Sequence, residues 1–273
     1  MPDDICTTPG GGLPRLLAIM ERLRDPDTGC PWDIEQDFAS IAPYTIEEAY
    51  EVADAIERGA WDELEGELGD LLLQVVYHAR MGEEDGRFDF HSIAERVAQK
   101  MVDRHPHIWG DGDREKSAAQ QVMDWEAAKA KERQGRTLDG VALGLPALMR
   151  AVKLQNRAAR VGFDWPETAQ VLDKLREEAT ELVEARKTMA QAEVADEMGD
   201  LLFVMANLAR HMGVDPEAAL RGANAKFTRR FEAIEDALAA EGRVPAQSDL
   251  AEMDALWNAA KAREKISDNN NRD

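Results

Sequence analysis

The chain has 273 residues, with 33 basic against 54 acidic side chains, giving a formal charge of −21 and a sequence pI near 4.7. That balance excludes free nucleic acid as a partner, because binding a phosphate backbone draws on clustered Lys and Arg. Hydrophobic residues at 44% against 32% charged supply both a core and a solvated surface, which excludes global disorder.

Residues 1–12, with Asp3, Asp4 and three consecutive glycines, lack the basic start and apolar stretch of a signal peptide. No run of about 18 apolar residues follows, so a cytoplasmic protein without membrane contact is expected. Cys6 and Cys30 would tie only the N-terminal segment to a nearby loop, and reduced thiols are expected. Apolar residues recur at three- and four-residue spacing in Ile46–Ile56 and Leu64–Tyr77, which predicts two helices. Residues 134–146 hold three glycines and Pro146, so the helical pattern should break there. Val171–Val183 and Val194–Leu208 restore it, and Ser267 to Asp273 read as a frayed polar tail. No segment alternates as a half-buried strand would, so the fold class is all-α, a tandem pair of helical bundles.

The tandem reading comes from an internal repeat. Glu67-Leu-Gly-Asp70-Leu-Leu returns as Glu197-Met-Gly-Asp200-Leu-Leu at a shift of 130, which also carries Glu47, Glu48 and Glu51 onto Glu177, Glu178 and Glu181. With small drifts, Leu13-Pro14 resembles Leu145-Pro146, and Trp125 with Lys129 resembles Trp257 with Lys261. The expected organisation is an N-terminal domain over 13–133, a linker over 134–146 and a C-terminal domain over 147–264.

Each copy holds E-E-x-x-E followed, after the same interval, by E-x-x-D. Residues three apart share a helix face, so Glu48 and Glu51 point together, as do Glu67 and Asp70. Two antiparallel helices bring together residues equidistant from their turn. The midpoint of the first set is Gly59, a natural turn residue, and that of the second set, Glu178, Glu181, Glu197 and Asp200, is Met189. Four carboxylates should therefore face one another in each copy and repel unless a cation intervenes. All-oxygen ligation with no histidine at the i+3 position favours Mg²⁺ or Mn²⁺ over zinc or a di-iron site. The competing interpretation of one such motif is a solvated acidic face, but exposed charge needs no fixed register and no second copy. A capping box from Thr45 to Glu48 is a local rival, although Leu175 stands in the place of Thr45 in the second copy.

These motifs resemble the MazG family of nucleoside triphosphate pyrophosphohydrolases, in its two-domain bacterial form. The likeness runs from Leu13 to about Lys261 and includes Cys30-Pro31-Trp32-Asp33, Arg104-His105-Pro106-His107 and Val161-Gly162-Phe163-Asp164-Trp165. It implies an all-α fold, association as a homodimer, and Mg²⁺-dependent hydrolysis of a nucleoside triphosphate to the monophosphate and pyrophosphate. It implies that the second copy is the working one, with metal ligands Glu178, Glu181, Glu197 and Asp200. Glu48, Glu51, Glu67 and Asp70 form a weaker second site. It places nucleotide contacts at Lys174 to Glu178, at the turn before Glu197, at Lys226 to Arg230, and at Trp257, to which Lys261 is added. The residues give a partial reason for this asymmetry: Lys226, Arg229 and Arg230 put three cations within five residues, whereas Lys100, Asp103 and Arg104 place an acid among them. One departure is Glu193, in the turn where the family often has a lysine.

On this reading Mg²⁺ held by Glu178, Glu181, Glu197 and Asp200 would polarise the α-phosphate and activate a water for attack on the α-phosphorus, and Lys226, Arg229 and Arg230 would offset the charge of the departing pyrophosphate. Glu177 is a base, an orienter or, about 100° round the helix from Glu178, simply a solvated acid. Arg230 and Lys226, four apart, equally suit an exposed helix surface, and Trp257 suits either base stacking or helix packing. His105 and His107 are the one histidine pair at close spacing, and a structural loop is the better reading. Base selectivity should be broad, since carboxylates and cations see phosphate. The rival functions are a non-catalytic helical metal-binding or partner-docking module, and a phosphodiesterase or phosphatase cutting elsewhere.

Overall fold

The computed structural model describes residues 4–113, 115, 117, 120–121, 124–125, 135–188 and 190–270. The described residues form helices joined by turns, with no strand among them. The chain divides into two compact units, Met1–Arg133 and Gln134–Asp273. Unit 1 holds α1 (Asp4–Thr7), α2 (Gly12–Leu23), α3 (Pro31–Glu35), α4 (Phe38–Arg58), α5 (Trp61–Glu84), α6 (Phe90–Arg104) and α7 (Pro106–Trp109). Unit 2 holds α8 (Ala147–Ala159), α9 (Thr168–Thr188), α10 (Gln191–His211), α11 (Pro216–Ala239) and α12 (Leu250–Asn270), with a 3₁₀ turn at Pro245–Gln247.

The centre of each unit is a helical hairpin, α4 with α5 and α9 with α10. The four predicted helices lie inside these, each extended by a turn or more. Helix α4 starts where the Asp37 carboxylate accepts the Ser40 N–H at 2.8 Å and the Ser40 hydroxyl accepts the Asp37 N–H at 2.9 Å. This reciprocal cap satisfies two donors that a helix start leaves open. Thr45 sits a full two turns inside the helix, so it caps nothing; its hydroxyl lies 3.1 Å from His78 Nε2. Gly59 ends α4 with φ +67°, the left-handed conformation that stops a helix and reverses the chain. The second midpoint, Met189, lies outside the described residues, between α9 and α10.

Burial repeats at the same shift as the sequence. Ile41 and Val171, Ala55 and Ala185, and Val76 and Ala206 are all 2% exposed or less. The alanines let the helices of each hairpin approach closely. Around the first hairpin, Met20, Tyr77 and Met81 complete a core into which Leu16, Leu17, Phe38, Leu73 and Phe90 pack. In unit 2, α8 packs on α10 and α11, and Gln155 Nε2 donates to the Phe203 carbonyl at 2.8 Å. Helix α12 continues through Asn270, where the frayed tail was expected to begin at Ser267. The segment holds neither Gly nor Pro, so nothing interrupts the backbone bonds of the last turns. Cys6 and Cys30 are free thiols.

Open space surrounds Gly59: a Cβ placed there meets no atom within 4 Å. Gly59→Ala should therefore cost only the left-handed backbone penalty, about 1–2 kcal/mol. Gly59→Asn should cost less, as read from the urea midpoint of the transition that unfolds α4 and α5.

Candidate functional site

The hairpin register decides which carboxylates meet. Glu48, Glu67 and Asp70 each offer an oxygen within 4.8 Å of the others, and so do Glu178, Glu197 and Asp200. The fourth acid of each set, Glu51 and Glu181, stands outside its trio. Reflection through the turn sets Glu48 opposite Asp70 and, one helical turn nearer the reversal, Glu51 opposite Glu67. The electrostatics follow the same pairing. The Glu48 carboxyl is pushed above the ordinary value by burial and then by Asp70, while Glu67 is pushed up by burial and then by Glu51. In unit 2 the Glu197 carboxyl is pushed up by desolvation, then by Glu181, Glu178 and Asp200. Three acids therefore form each cluster, and the fourth adds its charge from beside it. Such a trio of hard oxygen donors is a chemical fit to a divalent cation.

The two trios differ in their surroundings. Glu178 is buried, at 5% exposed, whereas Glu48 is half-buried. Lys174, one turn earlier on α9, puts its ammonium 2.8 Å from Glu178 and 2.8 Å from Glu177. Its pKa is raised by those two carboxylates, Glu177 first, so it stays charged. The signal for this contact lies in the sequence as a Lys with acids at i+3 and i+4. Tyr44 holds the matching place in unit 1, and Glu48 has no ion pair among the described residues.

The basic residues expected at the phosphates form a separate cluster on α11 and α12. Arg230 is held 2.7 Å from Glu264 and lies over the Trp257 ring at 5.4 Å, while Arg229 lies 3.5 Å from the same glutamate. Trp257 also packs against Phe227, with centroids 5.4 Å apart. Lys226 and Lys261 are exposed. Lys226 has no ion pair among the described residues. Glu193, in the turn before Glu197, accepts the Ala190 N–H at 2.9 Å and so caps α10. His105 and His107 belong to neither trio; the His105 ring lies against Trp109 and Trp125, and its Nδ1 meets the Met101 carbonyl at 2.6 Å.

A further pair of contacts is not evident from spacing. Asp164, in the Val161–Trp165 stretch, accepts a bond from Arg210 and lies 3.2 Å from His211, both near the end of α10. Asp33 plays the same part in unit 1, where the Tyr77 hydroxyl donates to its carbonyl at 3.0 Å and its carboxylate at 2.9 Å. Burial and Asp33 push the Tyr77 phenol up to about 12. In both units an aspartate in the segment before the hairpin thus ties that segment to the second hairpin helix.

Residues 36–109 match the MazG nucleotide pyrophosphohydrolase domain, and residues 145–226 match phosphoribosyl-ATP pyrophosphohydrolase. Each match spans one acidic trio. The nucleoside triphosphate pyrophosphohydrolase of Escherichia coli (strain K12) is 50% identical over 258 residues, which is 92% of this chain and 98% of the relative. The nucleoside triphosphate pyrophosphohydrolase/pyrophosphatase MazG of Thermotoga maritima is 39% identical over 249 residues, 90% of this chain and 94% of the relative. An uncharacterized protein YabN of Bacillus subtilis (strain 168) is 40% identical over 92% of this chain, which covers 52% of its length. With both trios falling inside the matched segments, the chain belongs to the MazG family of nucleoside triphosphate pyrophosphohydrolases.

Proposed function

We propose that the protein hydrolyses nucleoside triphosphates to the monophosphate and pyrophosphate with Mg²⁺, Mn²⁺ being a substitute, and that unit 2 carries the reaction. The observation that supports this most is the Glu178, Glu197 and Asp200 trio, within 4.8 Å, in a chain of this family. The catalytic domain is read as 147–264, joined through 134–146 to a weakly active or inactive domain over 13–133. Glu178, Glu197 and Asp200 hold the cation, and Glu181 adds a fourth negative charge beside Glu197. When bound, the cation polarises the α-phosphate and makes a bound water a better nucleophile. The water oxygen bonds to the α-phosphorus, the bond from that phosphorus to the bridging oxygen breaks, and the water proton passes to a neighbouring carboxylate. Lys226, exposed and with no ion pair among the described residues, is available to the leaving pyrophosphate, and Arg229 and Arg230 reach it by exchanging Glu264 for phosphate oxygens. Glu177 holds Lys174, which favours its role as an orienter. Trp257 and Lys261 are assigned to the nucleoside end.

Base recognition is broad, because the assigned groups address phosphate. The chain acts in the cytoplasm as a homodimer. No helix among the described residues is long and apolar enough to cross a membrane. Support for a dimer comes from a repeated apolar stripe: Leu68, Leu72 and Val75 on α5, and Met198, Leu202 and Met205 on α10, are each at least 36% exposed. Helix faces of that kind bury themselves against another element.

Glu178→Gln or Asp200→Asn should abolish turnover and leave the circular-dichroism helix signal intact, while Glu48→Gln or Asp70→Asn should cost little; inactive first-unit variants beside active second-unit ones would reverse the assignment. Chromatography of the products should give monophosphate and pyrophosphate; diphosphate and phosphate would point to a phosphatase, and no product to a binding module. The raised Glu197 carboxyl means that the folded, metal-free protein binds a proton the unfolded chain has released. Its stability therefore falls as pH rises from the ordinary carboxylate range through the raised value, and the strain persists above it. Mg²⁺ relieves that strain, so its gain in Tm should be largest at neutral pH, shrink as pH falls into the carboxylate range, and diminish in Asp200→Asn. A gain independent of pH in a thermal-shift series would contradict the assignment.

A further inference from the structure

Building on the metal reading above, we propose that Lys174 is a resident counter-ion that occupies Glu178 until a triphosphate draws it away, so that the unit 2 trio binds its divalent cation more tightly with nucleotide than without. The ammonium lies 2.8 Å from the Glu178 carboxylate, whose side chain is only 7% exposed. A buried carboxylate facing a lysine at that distance has lone pairs engaged and its charge offset, and it is a poorer ligand for a second cation. Glu177, at 2.8 Å from the same nitrogen, holds the lysine in place from the exposed side.

Unit 1 supplies the contrast. Its trio has the same spacing and the same 4.8 Å closeness, but Tyr44 stands where Lys174 would be. There the charge on Glu48 is offset by no ion pair among the described residues, and burial and Asp70 push its carboxyl up. The lysine is thus a property of one trio and not of the hairpin design. A triphosphate offers Lys174 phosphate oxygens in exchange for Glu178, which then turns its charge to the ion. Cation and nucleotide therefore help each other bind, by the same factor in either order. Lys174 acts through Glu178, as a positioning residue.

The test measures Mn²⁺ affinity by electron paramagnetic resonance of the free ion, on the full chain carrying Asp70→Asn to silence the unit 1 trio. Removing one partly exposed charge pair should change affinity by about three- to fivefold. Lys174→Met should therefore bind Mn²⁺ that much more tightly without nucleotide, and Lys174→Arg, which keeps the charge, should stay near the parent. A non-hydrolysable α,β-methylene triphosphate should tighten Mn²⁺ binding more in the parent than in Lys174→Met. An unchanged or weaker affinity in Lys174→Met overturns the proposal while leaving the metal site standing. Absence, in every variant, of any Mn²⁺ binding that Asp200→Asn removes would overturn the metal reading itself, and the proposal with it.

Discussion

Like charges held together by helix register are the constraint on which the rest of this structure depends. A helical hairpin fixes which residues of its two arms stand opposite, and here it sets Glu48 against Asp70 and, one turn nearer the reversal, Glu51 against Glu67. The fold brings carboxylates together that would separate if they were free to do so, and desolvation first, then the neighbouring acids, push the Glu48, Glu67 and Glu197 carboxyls up. Such an arrangement persists because it costs less than giving up the buried seam beneath it, where Ala55, Val76, Ala185 and Ala206 are fully covered. Packing energy from the hairpin is thereby converted into a site with an appetite for positive charge.

Duplication has produced two versions of that site, and the difference between them is chemical more than architectural. The trios share spacing, closeness and helix context. What separates them is the immediate counter-charge: Lys174 beside Glu178, a tyrosine beside Glu48. Two identical scaffolds can therefore differ in whether a cation already sits in place. In the α11–α12 cluster, Arg229 and Arg230 are both oriented by the one Glu264 carboxylate.

Much of this was legible before any coordinates, for identifiable reasons. Helix periodicity, the shift of 130 and the mirror position of Gly59 all follow from local spacing, which a helix translates directly into direction. The trio was legible only in part. Spacing names four acids, but which three bring oxygens within 4.8 Å depends on how each side chain lies across the hairpin, and Glu51 and Glu181 fall outside their trios. Lys174 was named for its place beside the nucleotide stretch, yet its grip on Glu178 is a short-range contact that the i, i+4 pattern permits without requiring. The Arg230–Glu264 pair spans 34 residues and two helices, and Asp164 with Arg210 spans 46, so neither leaves a local signature. The polar composition from Ser267 does not end the helix, which runs through Asn270 with neither Gly nor Pro to interrupt it; residues 271–273 of the expected tail lie outside the described residues.

The central claim is that three acids of unit 2 converge to hold a divalent cation, and the most direct measurement is anomalous diffraction from crystals of the full chain grown with Mn²⁺ and a non-hydrolysable triphosphate. The account predicts a manganese peak among the oxygens of Glu178, Glu197 and Asp200, with phosphate oxygens completing its shell. A triphosphate bound elsewhere, with no peak among those three side chains, would contradict it.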